Sequence, residues 1–255
     1  PITIDTQVSG TLSRSGLQTG IFAPNTSYLS MTPRHNVASG GTTYALAAGD
    51  LSINGIAIPA SVPSDDTASD TTATSSKKEA SAIAIAAAVN KQSQATGVHA
   101  VVNANTVVGA SFSAVSATGT LVINGYSLTI TSTSSTKAID IVNTINTVSG
   151  VTGVVATDNG SGITLTAADG RNISLATVSA ASGAAALDAG SLGLVAPNSA
   201  VAVGNSSLIS IQNSAGGAIT NYGGITLVSD KSFTVSGGAK AGTISDLAAL
   251  GLQEG

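Results

Sequence analysis

The sequence predicts an α+β fold, mostly β, in which small antiparallel-sheet modules, each with one packed helix, are tandemly repeated. Apolar and polar residues alternate around Asn-Gly pairs, as in β-hairpins closed by type I′ turns. A segment with helical spacing of apolar residues follows each of these hairpins. The composition is 42% hydrophobic but only 3% aromatic and 9% charged, which favours small aliphatic cores and many tight turns.

The clearest unit runs from Gly119 to Leu175. Asn124-Gly125 lies between two alternating runs and predicts a hairpin. A helix is predicted next, with Ser135 or Thr136 as its N-cap, because Ala138, Ile141, Val142, Ile145 and Val148 recur at helical spacing. Val154 begins a further strand, and turns at 158–162 and 169–170 lead into two more strands.

An earlier copy of this unit begins at Gly49. Asn54-Gly55 matches Asn124-Gly125, residues 82–90 match 138–146, and Gly97-Val98 matches Gly153-Val154. The first copy has an extra loop of roughly Ser61 to Ser76. The polar stretch from Pro59 to Ser76 predicts an exposed, mobile loop, and Ser76-Lys77-Lys78-Glu79 predicts a capping box for the next helix. A third echo, from Gly224 to Val235, matches the last hairpin only.

The repeated unit resembles the IN motif found in the variable middle of bacterial flagellins and in some hook-associated proteins. The second copy matches over its whole length, whereas the first has the Asn-Gly turn and the helix but lacks the Asp-Gly-Arg segment. The matching residues are Leu121 to Gly125, Ala138 to Asn146, Gly153 to Ala156 and Gly162 to Ile173. The long heptad-rich helices of flagellins are missing, so we expect an excised fragment holding the outward-facing D2 and D3 domains.

This resemblance implies a domain organisation. Residues 1–48 with 200–255 are expected to form a discontinuous, β-rich, D2-like proximal domain, because both ends of the fragment must return to one helical stalk. Residues 49–118 form the first IN-type repeat module and 119–199 the second, D3-like one. Ile2 to Val8 alternates like a strand, and Pro197-Asn198-Ser199 is the candidate boundary. Ser191 to Leu194 and Asp246 to Leu252 are candidate helical turns stopped by glycine.

The composition excludes several classes of protein. Without cysteine the chain can form neither a disulfide framework nor a thiolate metal site. The formal net charge of −4 and the scattered basic residues argue against a nucleic-acid surface. No apolar run approaches the roughly 18 residues of a membrane span. We therefore expect neither nucleic acid nor membrane as a partner.

Each residue type that could carry chemistry has a simpler interpretation. His35, expected in a loop, and His99, expected in a strand where the second copy has Val155, lack any local signature of a catalytic triad. Neither a His-Glu-x-x-His motif nor a phosphate-binding loop is present. Asp65, Asp66 and Asp70 indicate a solvated loop rather than a calcium site, because the glycine of a calcium loop is missing.

Two turns carry the remaining candidates. The residue types from Asp158 to Gly162 suit either a calcium loop or a hairpin turn, and we favour the turn. Asp169-Gly170-Arg171 is interpreted as a turn whose arginine points to solvent, with adhesive recognition as the weaker alternative. The sequence thus predicts no catalytic, cofactor-binding or metal-binding residue, no cofactor, and a protein that is not an enzyme.

Three N-glycosylation sequons, at Asn25, Asn172 and Asn205, are expected by chance in so polar a chain. The resemblance implies O-linked glycan on unspecified Ser or Thr residues. It also implies an extracellular structural subunit of the flagellar filament, with other flagellin subunits, host receptors or antibodies as partners. The alternatives are a hook-associated or cap protein, or a cell-surface adhesin that binds sugar or host protein; an enzyme is the least favoured.

Overall fold

The computed structural model describes residues 26–29, 34–37, 45–179, 187, 191–194 and 218–237. Strands outnumber helices in these residues, which confirms an α+β fold that is mostly β. The helices are α1 (Ala82–Asn90), α2 (Ser93–Thr96), α3 (Ala138–Asn146) and α4 (Ser149–Thr152), and 3₁₀ turns span Pro63–Asp65 and Lys78–Ala80. The strands are β1 (Thr26–Leu29), β2 (Arg34–Val37), β3 (Leu51–Ile53), β4 (Ile56–Ala57), β5 (His99–Val102), β6 (Asn105–Val108), β7 (Ala117–Ile123), β8 (Tyr126–Ser132), β9 (Val155–Asp158), β10 (Ile163–Ala167), β11 (Ile173–Ser179), β12 (Ile219–Tyr222), β13 (Ile225–Ser229) and β14 (Val235–Gly237).

These strands form small antiparallel sheets. Their orders are β1-β13-β5, β6-β10-β9, β2-β12-β11-β7-β8 and β14-β3-β4. The longest ladder joins β7 to β8, with Leu121 opposite Leu128 and Ile123 opposite Tyr126. Helix α1 packs on β5 and β13, and α3 packs on β9 and β8. Each repeat therefore covers its sheets with one principal helix, as predicted.

Both Asn-Gly turns have the predicted geometry. The φ angles are 52° at Asn54 and 76° at Gly55, and 47° at Asn124 and 77° at Gly125. A type I′ turn requires positive φ at both central positions. The β3-β4 and β7-β8 hairpins are therefore closed by the predicted type I′ turns.

The predicted helices are present, but their starts differ from prediction. Ile141, Val142 and Ile145 are buried on one face of α3. The N-cap position is Lys137, whose backbone N–H donates to the Asp140 carboxylate. The prediction of Ser135 or Thr136 as N-cap is wrong, because these hydroxyl groups close a preceding turn with Thr133 instead.

Helix α1 also begins later than predicted. Ser81 Oγ accepts a hydrogen bond from the Ala84 N–H at 3.1 Å and is the N-cap. The capping box predicted at Ser76 to Glu79 is wrong, because Ser76 Oγ donates to Asp70 O and residues 78–80 form a 3₁₀ turn. Most of α1 is buried, as its alanine-rich sequence allows.

The two repeats are nested along the chain. Strand β13 pairs with β5 as β10 pairs with β9: Leu227 lies opposite Ala100, and Leu165 opposite Ala156. Strand β14 pairs with β3 as β11 pairs with β7. The third echo, 224–235, therefore completes the first repeat, and the second repeat lies between β5 and β13. Strand β1 takes the place beside β13 that β6 takes beside β10.

This nesting bears on the predicted segments. Strands β1 and β2, from 1–48, pair with β13 and β12, from 200–255. Strands β13 and β14 also pair with β5 and β3, so hydrogen bonds join 200–255 to 49–118 across a predicted boundary. The division into domains stays a prediction. The strand at 2–8, the boundary at 197–199 and the turn at 246–252 lie outside the described residues; Gly193, at the other candidate turn, has φ of +66°.

Each repeat has its own aliphatic core. One core holds Leu51, Ile53 and Val98 of the first copy together with Leu227 and Val235, which arrive from the C-terminal hairpin. The other holds the corresponding residues of the second copy, joined by Leu187, Leu192 and Leu194. Both cores consist almost wholly of Ala, Val, Ile and Leu, as the low aromatic content requires.

The extra loop of the first copy does not behave as predicted. The expectation of an exposed loop from Pro59 to Ser76 is wrong for six of its eighteen residues, which are buried, and its mobility stays a prediction. Ala73 belongs to the core of the second repeat, and five polar side chains of the loop are buried: Ser61, Asp66, Ser69, Ser75 and Ser76. Most of their polar atoms are hydrogen-bonded within the protein, the exception being the buried Asp66 Oδ2. A loop with few apolar anchors can therefore still pack inside the protein.

Candidate functional site

An asparagine in each Asn-Gly turn ties the hairpin to distant backbone. Asn124 Nδ2 donates to Thr152 O at 2.9 Å, and its Oδ1 accepts from the Ser174 N–H at 2.8 Å. Asn54 Nδ2 donates to Thr96 O at 2.8 Å, and its Oδ1 accepts from the Thr234 N–H at 2.9 Å. Each asparagine thus joins its hairpin to the end of a helix pair and to backbone in, or directly before, the last strand of its repeat.

A second asparagine, at the end of the main helix of each repeat, pairs with strand backbone. Asn146 Nδ2 donates to Ala156 O at 3.0 Å, while its Oδ1 accepts from the Ala156 N–H at 2.8 Å. Asn90 makes the same two bonds with Ala100, at 2.9 and 2.8 Å. This side chain satisfies an edge residue as a neighbouring strand would, so it holds the helix at the sheet edge.

The extra loop meets the second repeat in a buried polar cluster that we call the junction, made by Asp66, Ser69, Ser75, Ser76, Asn105, Asn172, Thr220, Asn221 and Tyr222. Asp66 Oδ1 accepts from the Ser69 N–H at 2.9 Å, and Ser69 Oγ accepts from the Asn172 N–H at 2.9 Å. Asn172 Nδ2 is 3.2 Å from both Ser76 Oγ and Lys77 O. The loop therefore docks on the turn that carries the Asp-Gly-Arg-Asn segment.

Strand β12 forms the other wall of the junction. Ser75 Oγ donates to Ala218 O at 2.8 Å and lies 2.8 Å from Thr220 Oγ1. The Tyr222 hydroxyl donates to Ser75 O and accepts from the Lys77 N–H. Since these groups are buried and come from segments about 145 residues apart in sequence, they close the junction through hydrogen bonds between remote parts of the chain.

Two asparagines complete the junction. Asn221 Nδ2 donates to Asn105 Oδ1 at 2.6 Å, and Asn105 Nδ2 lies 2.9 Å from both Arg171 O and Asn221 O. Both residues are buried, since Asn105 is 1% exposed and Asn221 6% exposed. The Asn105 amide group bonds to backbone carbonyl groups in the junction without bringing a charge into it.

One carboxylate is buried in the junction. Burial by itself raises the pKa of Asp66, but the Ser69 and Ser81 hydroxyl groups and the N–H groups of Ser69 and Ala68 favour the charged form, and the net pKa is lowered. Although Asp66 is only 1% exposed, its lowered pKa means that it is ionised near neutral pH. Its carboxylate accepts hydrogen bonds from the loop backbone around it.

The Asp169-Gly170-Arg171 turn folds back on the protein. Arg171 Nε and Nη2 donate to Asp169 Oδ2 at 2.8 and 2.6 Å. A Cβ on Gly153 would lie 2.2 Å from Arg171 Cζ, so the guanidinium covers this glycine. The Arg171 side chain is only 23% exposed. The expectation of a solvent-pointing arginine is wrong, since the carboxylate and Thr152 O hold it against the helix end.

The structure places both histidines in strands. His99 lies in β5, as predicted, with its residue exposed and Val228 opposite. His35 lies in β2 rather than in a loop, where β2 pairs with β12 and requires extended backbone. Among the described residues, no three His, Asp or Glu side chains gather as metal ligands would.

The other acidic candidates have separate partners. Asp65 forms an ion pair with Lys91, whose Nζ lies 2.6 Å from Asp65 Oδ2. Asp70 Oδ1 accepts a hydrogen bond from the Thr72 N–H and so closes a local turn. The turn at 158–162 joins β9 to β10, so the hairpin interpretation is confirmed. Asn159 Oδ1 accepts from the N–H groups of Ser161 and Gly162, which is the local bonding expected of a turn.

One glycosylation sequon can be assessed. Asn172 is 0% exposed and is bonded through its amide, so in the folded chain its nitrogen is closed to a glycosyltransferase. The sequons at Asn25 and Asn205 lie outside the described residues.

Sequence reasoning missed the junction. Nothing in the Ser- and Thr-rich loop distinguishes Ser69, Ser75 and Ser76 from exposed serines. One signal was available: the loop is confined to the first copy, and Tyr222 stands beside Gly223-Gly224, where backbone can approach closely. The asparagines that end the helices were matched between copies, but their bonding to the strand required coordinates.

The comparisons with known proteins add no family. No family model matches this chain, and no curated protein matches it. The helices in the described part of the chain are all too short to cross a membrane. What the site can do therefore rests on its own geometry: it fixes two repeats, a loop and a β-strand in one arrangement through uncharged side chains and one buried carboxylate.

Proposed function

We propose that this chain is the outward-facing part of a bacterial flagellar filament subunit, a structural and extracellular protein. In this role its repeats project from a helical polymer and present the surface that antibodies or host receptors meet. The rest of each subunit would supply the contacts with other flagellin subunits. Its function is mechanical and antigenic, without chemical turnover.

The observation that carries the proposal is the use made of the motif residues. The residues on which the resemblance depends include Asn124, Asn146 and the segment from Asp169 to Asn172. Every one of these polar side chains bonds to the backbone or to another side chain of the same chain. Motif residues whose side chains bond within the chain suit a structural protein, because its function depends on keeping its shape.

The sheet pairing supports the proposed placement. Strands β1 and β2 from the N-terminal part lie beside β13 and β12 from the C-terminal part. An outward projection from a polymer needs its incoming and outgoing segments side by side. An adhesin has no such requirement, although it could share the arrangement.

Immunogold microscopy tests the proposal. Antibodies raised against the 255-residue chain are applied to cells that produce the native protein. Label along the whole filament supports the proposal. Label at the filament tip or at the hook junction indicates the cap or hook-associated alternative, and label on the cell body indicates an adhesin. Label at the tip, at the hook junction or on the cell body would each overturn the filament assignment.

A deletion tests the same proposal through assembly. Asn103 N donates to Gly224 O at 3.0 Å, so the second repeat leaves and rejoins the first at one place. Residues 103–224 can be replaced by the Asn-Gly-Ser-Gly turn of 159–162, because Val102 faces Ile225 as Asp158 faces Ile163. In the full-length native protein, this deletion should leave filament assembly and motility intact and remove antibody binding to the second repeat.

A further inference from the structure

Strand β8 is the end of the five-stranded sheet among the described residues. It pairs with β7 over seven residue pairs, from Ala117 with Ser132 to Ile123 with Tyr126. Within the described residues, its backbone makes no hydrogen bond to any segment other than β7. An edge of this length presents a row of N–H and C=O groups to which another strand can add.

The corresponding edge of the first repeat is protected. There β4 spans only Ile56–Ala57, and Pro59 follows shortly after it. A short edge and a proline both hinder the addition of another strand. Strand β8 has neither protection: it is seven residues long, and its sequence Tyr-Ser-Leu-Thr-Ile-Thr-Ser contains no charge and no proline. The comparison within one chain shows that the fold can block this edge and that β8 does not.

The side chains of β8 suit an identical strand. With Thr129 opposite Thr129 of the second copy, Leu128 faces Ile130 on the core side and Ser127 faces Thr131 on the outer side. The outer pairs repeat the chemistry that β8 already has with β7, where Thr118 Oγ1 lies 3.3 Å from Thr131 Oγ1. Tyr126 is 40% exposed and would be covered on the apolar side.

Charges at the two ends favour the same arrangement. Asp70 lies beside the turn before β8, since its Oδ1 is 2.9 Å from the position of a Cβ on Gly125. Lys137, which is exposed, follows the turn after β8. Antiparallel pairing of two copies brings Asp70 of one chain and Lys137 of the other to the same end of the new ladder. Parallel pairing would place like charges together.

We propose that two copies of this chain associate by antiparallel pairing of their β8 strands, which joins the two sheets into one continuous sheet with a twofold axis at Thr129. One strand pair is small beside the roughly 1,200 Å² or more of a stable interface. The association is therefore weak and depends on concentration. The inference concerns the free chain and holds whether or not the filament assignment is correct.

Disulfide trapping tests the geometry directly, because the chain has no cysteine of its own. Thr129→Cys places one thiol on the twofold axis. Facing residues of an antiparallel ladder have Cα atoms about 4.5–5.5 Å apart, which a disulfide can span. Under mild oxidation the variant should form a covalent dimer at least about tenfold faster than Thr118→Cys, which is exposed on the neighbouring strand of the same sheet face. Equal rates for the two variants would overturn the proposal.

Charge substitution tests the association without a disulfide. Thr129→Lys and Thr129→Glu each put like charges opposite one another and should weaken dimerisation by up to about fivefold in sedimentation equilibrium. An equimolar mixture of the two should restore it, while Thr118→Lys should behave as the unmodified chain. Circular dichroism and melting temperature confirm that each variant is folded. A dimer that ignores the charge at 129, or a chain that stays monomeric at millimolar concentration, would show that β8 does not pair with itself.

Discussion

Replacing Asn124 by alanine should destabilise the second repeat by about 3 kcal/mol. The change removes the bonds to Thr152 O and to the Ser174 N–H, which contribute about 1 kcal/mol each. It also puts an alanine at φ of 47°, and the left-handed conformation costs a residue with a Cβ roughly 1 kcal/mol more than it costs asparagine. Their simple sum gives the expected loss of about 3 kcal/mol.

Urea unfolding measures this loss as a shift of the midpoint at unchanged slope. Asn124→Gly is the control that separates the contributions, because glycine loses the two hydrogen bonds but accepts positive φ without strain. It should lose about 2 kcal/mol. The matched substitution Asn54→Ala should reproduce the loss in the first repeat, whose asparagine makes equivalent bonds.

The reasoning fails if Asn124→Ala costs under about 1 kcal/mol, since the two bonds would then contribute little beyond those made with water. It also fails if alanine and glycine are equally destabilising. In that case the left-handed turn would impose no penalty, and the preference for Asn-Gly would have no conformational basis.

Three further predictions follow from the same contacts. Asn146→Ala should cost about 2 kcal/mol and speed hydrogen exchange at the Ala156 amide, because both backbone groups of that residue lose their partner. Asp66 has a lowered pKa in the folded chain, so its contribution to the free energy of unfolding is present above its unfolded pKa of about 4 and is lost as the pH falls through its folded pKa. The free energy of unfolding measured in urea should therefore decrease in acid, and it should decrease less in Asp66→Asn. Gly153→Ala should cost up to about 1 kcal/mol more than Gly97→Ala in thermal unfolding, because both glycines have φ of +70° but only Gly153 lies under a guanidinium, and adding Arg171→Ala should remove the difference.

The local elements follow from the sequence because short-range chemistry decides them. Asn-Gly pairs set the hairpins, and the spacing of Ile141, Val142 and Ile145 sets α3 and its buried face. The predicted turn at 158–162 is confirmed for the same reason. These features depend on neighbours within a few residues, so one sequence is sufficient to find them.

The features that the sequence did not predict depend on remote partners. Residues 224–235 were identified as an echo of the last hairpin, yet their pairing with β5 and β3 depends on strands more than 120 residues away. The loop from Pro59 to Ser76 was expected in solvent because it is polar, whereas its serines find acceptors and donors on Asn172, Ala218 and Tyr222. Arg171 is predicted to point to solvent because it belongs to a turn, whereas in the structure it bonds to Asp169 and lies over the backbone of Gly153.

Nesting one repeat inside the other also sets an order of events for a chain that emerges from its N-terminus. Leu51, Ile53 and Val98 appear early, but their core is completed only when Leu227 and Val235 arrive, while the inner repeat already has its own strands from β6 to β11. Once the inner repeat has folded, it holds Asn103 beside Gly224 and shortens the effective loop that the outer repeat must close. Strands β13 and β14 therefore cover the first part of the chain late, and the inner copy, once folded, lowers the entropic cost of that closure.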